Sequence, residues 1–181
     1  MKKIIALATL ASCISFGMAA AYADAGKQTI SVGYAHSSVD WDGIDVDGDP
    51  SGLNLKYRYE FDDQFGIIGS FTYTQKDYHA YTSNMRYAGK LDLDYYSLTV
   101  GPSFRANDYF SAYLLVGMAR GKYDLKSDYY MNESETQSAF AYGGGIQINP
   151  LPNWVIDASY EYSKLDNVKV GTWVLGVGYS F

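Results

Sequence analysis

A histidine beside a serine and a carboxylate is the arrangement that could make this chain a hydrolase. Two histidines occur in its 181 residues, His36 and His79. His36 is followed by Ser37, Ser38 and Asp40, and His79 lies between Tyr78 and Ala80. Serine and aspartate beside a histidine are common in any loop, and no recognisable catalytic motif surrounds either position. Catalysis through His36 or His79 is therefore the minor alternative, and the chain is expected not to be an enzyme. A second possible chemistry is cation binding. Asp40, Asp42, Asp45, Asp47 and Asp49 crowd one segment that holds no Lys or Arg, and carboxylates are hard-cation ligands. Counted from Asp45, however, Pro50 stands where a calcium loop needs Gly, and Lys56 stands where it needs the bidentate Glu. A solvated acidic loop is the plainer reading, and no metal or cofactor is expected. The third chemistry is surface contact. Tyr78, Tyr81, Arg86, Tyr87 and Lys90 cluster in one segment, and Tyr129 and Tyr130 in another. Exposed Tyr with Arg is the composition of binding hot spots. The alternative is that these tyrosines pack on one another and on the rim of the fold.

The elements that must carry these residues are strands. Hydrophobic residues make up 48% of the chain and aromatics 17%, with 19 Tyr and 18 Gly against 4 Pro, a composition of sheets more than helices. The net charge of −6 argues against a nucleic-acid partner. Mean hydropathy of −0.19 argues against a helical membrane protein. A single cysteine, Cys13, excludes an intrachain disulfide.

The first 23 residues stand apart. Met1-Lys2-Lys3, an uncharged run from Ile4 to Ala21 and the small-x-small sequence Ala21-Tyr22-Ala23 read as a secretory signal cut after Ala23. A retained membrane anchor is the rival, but Thr9, Ser12, Cys13, Ser15 and Gly17 dilute the run. A lipoprotein signal at Leu10-Ala11-Ser12-Cys13 is a second rival, and it would leave the apolar stretch 14–23 on the mature chain. Residues 24–181 form the expected domain.

That domain alternates almost throughout. Leu53, Leu55, Tyr57, Tyr59 and Phe61 oppose Asn54, Lys56, Arg58 and Glu60. The same period of two recurs in 66–75, 95–105, 139–148, 156–163 and 172–181, and more weakly at Ile30, Val32, Tyr34 and His36. The segment 109–124 is apolar on both faces, and Arg120 and Lys122 suggest its phase without proving it. Eight strands result. Tight connections at 61–65, 105–109 and 149–153 alternate with long ones near 37–51, 76–94 and 124–137 and a shorter one at 165–168. Strict alternation of short and long ends predicts an all-β, eight-stranded antiparallel up-and-down transmembrane β-barrel with its long loops external. Charges of both signs share one face (Lys56, Arg58, Glu60, Arg105, Asp157 and Glu161), as a narrow lumen filled by paired side chains needs. Tyr, Trp and Phe lie on the other face near strand ends, as an interfacial girdle would. Trp173, Leu175, Val177, Tyr179 and Phe181 share a face at the C-terminus, a pattern like the strand signal read by the outer-membrane assembly machinery.

From about Thr29 to Phe181 the chain resembles the Ail/Lom/PagC/OmpX family of small outer-membrane proteins. The residues that carry the resemblance are Leu53-Asn54-Leu55-Lys56-Tyr57-Arg58-Tyr59, Ile68-Gly69-Ser70-Phe71-Thr72-Tyr73-Thr74 and Gly101-Pro102-Ser103-Phe104-Arg105. Asn149-Pro150-Leu151-Pro152-Asn153, Asp157 to Lys164 and Val170-Gly171-Thr172-Trp173 continue it, and the run from Asn149 to Phe181 is most similar to the attachment-invasion (Ail) branch. The resemblance implies a multi-pass protein of a Gram-negative outer membrane, acting in adhesion to host cells or matrix, invasion and complement (serum) resistance. It implies contact with outer-membrane lipid and lipopolysaccharide, with the assembly machinery, and with host matrix or complement-regulatory proteins, in a monomer. A structural or stress-related OmpX-like barrel is the alternative. The resemblance fades in the long loops, so no ligand-binding residue is carried over.

Deleting Phe181 is expected to block assembly while leaving the strand pattern intact. Heat-modifiable gel mobility and membrane yield check this; a normal yield of folded protein would remove the terminal-signal reading.

Overall fold

The computed structural model describes residues 26–41, 44–45, 49–81, 87–126, 133–165 and 168–181, so the expected signal segment lies outside the described residues. Among the described residues no helix is long and apolar enough to cross a membrane. The described residues build nine strands: β1 (Gln28–Trp41), β2 (Ile44–Asp45), β3 (Ser51–Glu60), β4 (Phe65–Tyr81), β5 (Tyr87–Asn107), β6 (Phe110–Lys126), β7 (Glu133–Leu151), β8 (Trp154–Leu165) and β9 (Val168–Ser180). Eight of them follow one another around a closed antiparallel ring, and β1 pairs β9 from Thr29↔Ser180 to Trp41↔Val168. The ninth, β2, is a two-residue strand folded back on the external end of β1 through Asp40↔Asp45 and Trp41↔Ile44.

Side-chain parity explains the ring. Leu98, Leu114, Trp173 and Leu175 are each more than 60% exposed, whereas Lys56, Arg58, Thr72 and Gln147 on the opposite parity are buried. A soluble barrel would show the reverse; this one has lipid as its outer solvent. The ambiguous segment 109–124 becomes β6, with Tyr113, Leu115 and Ala119 inside and Leu114, Val116 and Met118 outside. Arg120 shares the outward parity, near the external end of the strand, where it donates to Ser138 Oγ at 3.1 Å.

The short ends are built by turn chemistry. Asp62 Oδ1 accepts from the backbone N–H of Gln64 at 2.8 Å and of Phe65 at 2.7 Å, and these two bonds hold its carboxyl below the usual carboxylate range. Asn107 Oδ1 accepts from the Tyr109 N–H at 2.9 Å, and Asn153 Nδ2 donates to the Ser180 carbonyl at 2.7 Å. Both chain ends of the barrel lie on this side, since Gln28 and Phe181 exchange backbone hydrogen bonds.

The long ends differ from the expected loops. The segment near 76–94 is mostly ladder, because β4 runs on to Tyr81 and β5 starts at Tyr87. The segment near 124–137 is likewise strand up to Lys126 and again from Glu133, and the segment near 37–51 keeps β1 to Trp41 and adds β2. Above the lipid a strand needs no apolar face, so its sequence loses the period of two while its backbone stays paired. The rim is therefore uneven. β3 begins at Ser51, opposite Gln75, and β4 continues six residues further to Tyr81, about 20 Å at the rise of an extended chain. The four strands β4 to β7 stand as a wall above the shorter β8, β9, β1 and β3.

On the lipid face the Tyr160 ring folds over Gly171 and packs at 4.7 Å, centroid to centroid, from Trp173. A Cβ at position 171 would lie 2.4 Å from the Tyr160 hydroxyl oxygen. Gly171→Val is expected to displace the ring and to destabilise the barrel by about 1–3 kcal/mol, the range of overpacked sites. Urea unfolding in detergent reads this, and an unchanged midpoint would show that the ring is free to move.

Candidate functional site: the charged lumen and the external rim

The six predicted interior charges meet inside the barrel. Each is buried, and all but Glu161 touch a partner of opposite sign. Arg105 donates two bonds to the Glu60 carboxylate, at 2.9 and 2.8 Å, and Arg58 Nη2 lies 3.2 Å from the same carboxylate. Lys56 Nζ bonds Asp157 Oδ1 at 2.5 Å and Ser159 Oγ at 2.9 Å. Asp157 also accepts from the Tyr113 hydroxyl at 2.9 Å and from Gln147 Nε2 at 2.9 Å. Glu161 accepts from the hydroxyls of Tyr95 (3.2 Å) and Thr99 (3.3 Å). Three cations and three carboxylates thus share one narrow interior, as mutual neutralisation in a low dielectric requires. Glycine makes room for the tyrosine that joins them: a Cβ at Gly145 would sit 2.5 Å from the Tyr113 hydroxyl that reaches Asp157. Arg58 is the least satisfied member, because its Nε and Nη1 have no hydrogen-bond partner.

The histidine chemistry does not assemble. His36 Nε2 lies 3.1 Å from Asp49 Oδ2, both side chains being nearly half exposed at the external end of β1. Its neighbour Ser37 points to the other face, where its hydroxyl bonds Thr172 at 2.7 Å and Thr74 at 3.3 Å. Adjacent positions on a strand face opposite ways. The side chain of His79 lies outside the described residues, as do Asp42 and Asp47 of the acidic segment. Among the described residues no group of three His, Cys, Asp or Glu could hold a metal ion.

The C-terminal stripe lies on the lipid face. Trp173, Leu175, Val177, Tyr179 and Phe181 all face outward, each between 44% and 67% exposed. The candidate contact residues are placed only in part. Tyr78, Tyr81, Tyr87 and Lys90 belong to the β4–β5 ladder, with Tyr78↔Leu91, Tyr81↔Tyr87 and His79↔Lys90, but their side chains lie outside the described residues. Arg86, Tyr129 and Tyr130 lie outside them altogether.

Comparison with known proteins agrees with this geometry. The family model of the outer membrane protein β-barrel domain matches residues 5–181. The attachment invasion locus protein of Yersinia enterocolitica is 51% identical, over 100% of both chains. Outer membrane protein X of Escherichia coli (strain K12) is 40% identical, again over 100% of both. The chain belongs to this outer-membrane β-barrel family. Among solved structures, Ail of Yersinia pestis in complex with the heparin analogue sucrose octasulfate superposes with a TM-score of 0.80 at 50% identity, covering 87% of this chain and 99% of that one.

Membership fixes the orientation. The barrel sits in the outer membrane of a Gram-negative bacterium, with the short turns and both barrel ends towards the periplasm and the β4–β7 wall outside. The family's kinship is with surface barrels, and the protein is not an enzyme. One feature of the interior is absent from the sequence reading. At the external end the inward face turns apolar: Val39, Tyr95, Ala119, Ala141, Leu165, Val168 and Val170 form one cluster. Its signal was available, since Leu165 continues the inward parity of Glu161 and Ser163, and Val168 and Val170 that of Thr172.

Lys56→Met leaves Asp157 with neutral donors only and is expected to cost about 3–5 kcal/mol, whereas Lys56→Met with Asp157→Leu is expected to cost less than the single change. A double-mutant cycle on urea unfolding measures the difference; additive costs would mean that the two side chains act independently.

Proposed function

We propose that the protein is a surface adhesin that meets host matrix or complement-regulatory proteins through its projecting wall, and so serves attachment, invasion and serum resistance. The observation that carries this reading is the pair of open strand edges on the wall. Among the described residues, β4 has no ladder partner on its β3 side beyond Gln75, and β7 has none on its β8 side from Glu133 to Phe140. An open edge offers backbone donors and acceptors to an extended segment of another protein. Lys76 and Asp77 on one edge and Glu133 and Glu135 on the other are the kind of charged residues that keep such edges from pairing with each other. The names of the relatives, attachment invasion locus proteins, support the same reading.

The low side of the rim suits a different partner, the lipopolysaccharide around the barrel. Lys164 and Lys169 face each other directly across β8 and β9 and both are exposed. Like charges so placed repel; Asp40 stands directly opposite Lys169 across β1 and β9, and the phosphates of lipopolysaccharide at this level can meet the charge that one carboxylate leaves. The acidic segment begins at Asp40, and Ca²⁺ or Mg²⁺ can link carboxylates of such a segment to the same phosphates.

The test is to trim the wall. Replacing 77–92 and 120–138 by short turns keeps the barrel, removes the open edge of β4 beyond Lys76 and leaves β7 only Ala139 and Phe140 unpaired on its β8 side. Bacteria carrying the trimmed protein are expected to lose matrix binding and serum survival, with heat-modifiable mobility unchanged. Binding and survival at full level after trimming would refute the adhesin reading and leave a structural barrel.

A further inference from the structure

The two ends of the lumen are built of opposite materials. At the periplasmic end the Arg105–Glu60 pair faces an open vestibule of about 770 Å³ lined by Lys27, Asp62, Asp63 and Asp108. This mouth is polar and open. Burial beside Arg105 pushes the Lys27 ammonium down from its ordinary value. At the external end the apolar cluster draws one or two side chains from each of β1, β5, β6, β7, β8 and β9. On the remaining arc, towards β3 and β4, the hydroxyls of Ser37, Thr74 and Thr172 bond one another, and Pro50 is buried beside them. The void left inside the cluster is small, about 40 Å³; Ser37, Asp94 and Lys122 are among its lining residues beside Val39, Leu165, Val168 and Val170, but the surface it exposes is almost wholly apolar. A space of that size could hold water, but water needs two or more polar partners to stay, so an apolar void remains dry.

We infer that this apolar ring is a dewetted seal, which closes the lumen to the outside and leaves its charged interior open to the periplasm alone. The charges of the ladder do not perform this closure. Hydrophilic side chains in a lumen carry water between them, whereas a ring of Leu and Val expels it and raises a barrier to any ion. Leu165 and Val170 are the residues whose replacement opens the seal, because they are large and deeply buried and sit just above the Glu161 layer on β8 and β9.

Thiol labelling from one side at a time tests the inference. In a Cys13→Ser background, a cysteine is placed at Ser163, at the lower edge of the ring between Ala141 and Val170, or at Ser103, in the periplasmic half. Both serines are buried and inward-facing. The barrels are reconstituted in vesicles with the wall outward, orientation being checked by protease trimming. A small charged methanethiosulfonate is then added outside or enclosed within. With the ring intact, Ser163→Cys is expected to stay unlabelled from outside, and Ser103→Cys to label only from within. With Leu165→Ser and Val170→Ser added, outside labelling of Ser163→Cys is expected to rise at least tenfold, while Ser103→Cys still labels from within. Heat-modifiable mobility certifies each variant as folded. The seal is refuted by outside labelling of Ser163→Cys with the ring intact. It is equally refuted by a folded, ring-substituted barrel in which Ser163→Cys stays protected.

Discussion

Lipid offers no partner for a backbone N–H or C=O, and the rest of the molecule follows from that. A sheet placed in the membrane must leave no open edge, so β1 has to find β9, and the ladder from Thr29↔Ser180 to Trp41↔Val168 provides the closure. Once the ring shuts with eight strands, its interior is only wide enough for side chains. One parity must then be greasy and the other must fill a narrow tube. Charges enter that tube only in company, and Arg105 with Glu60, or Lys56 with Asp157, are that company. Outside the lipid the constraint lifts. There the edges of β4 and β7 remain open, and the same backbone groups that had to be hidden in the membrane become a means of contact.

What could be read from the sequence tracks this constraint closely. Between Leu53 and Phe61, or between Thr172 and Phe181, lipid and lumen impose opposite demands on alternate residues, so strand, phase and face are all legible. Between Tyr109 and Asp124 they are not, because the tube wants Tyr113, Leu115 and Ala119 there and its polarity fades. The wall was hidden for the complementary reason. Past Gln75 neither face meets lipid, the alternation stops, and a paired strand looks like a loop. The six interior charges were legible as a set, yet their pairing was not: Lys56 and Asp157 are 101 positions apart, and only ring closure brings them together. The apolar ring is hard to read in the sequence because valine and leucine at the ends of β8 and β9 resemble the residues of a connection. Their parity, continued from Glu161 and Thr172, places them inside.

The lumen and the rim serve each other. The paired charges hold the strands at fixed spacing from within, and the aromatic girdle, Tyr160 over Gly171 against Trp173, holds them from without. A wall anchored in so rigid a base keeps its edges in a set direction at the cell surface. The histidine that sequence chemistry first singled out takes a structural place in the same arrangement. His36 ties the external end of β1 to Asp49 at the approach to β3, on the low side of the rim.

The wall strands run without interruption from the periplasmic turns to their tips, β5 from Asn107 to Tyr87 and β7 from Leu151 to Glu133. Tension applied at a tip by a tethered cell is therefore directed along the strands. It loads the cross-strand rungs in shear, many at once, rather than peeling them one after another. Such a connection resists steady pull far better than a hinged loop of the same length. Mechanical grip under flow is thus a property of the fold itself, set by where the strands end.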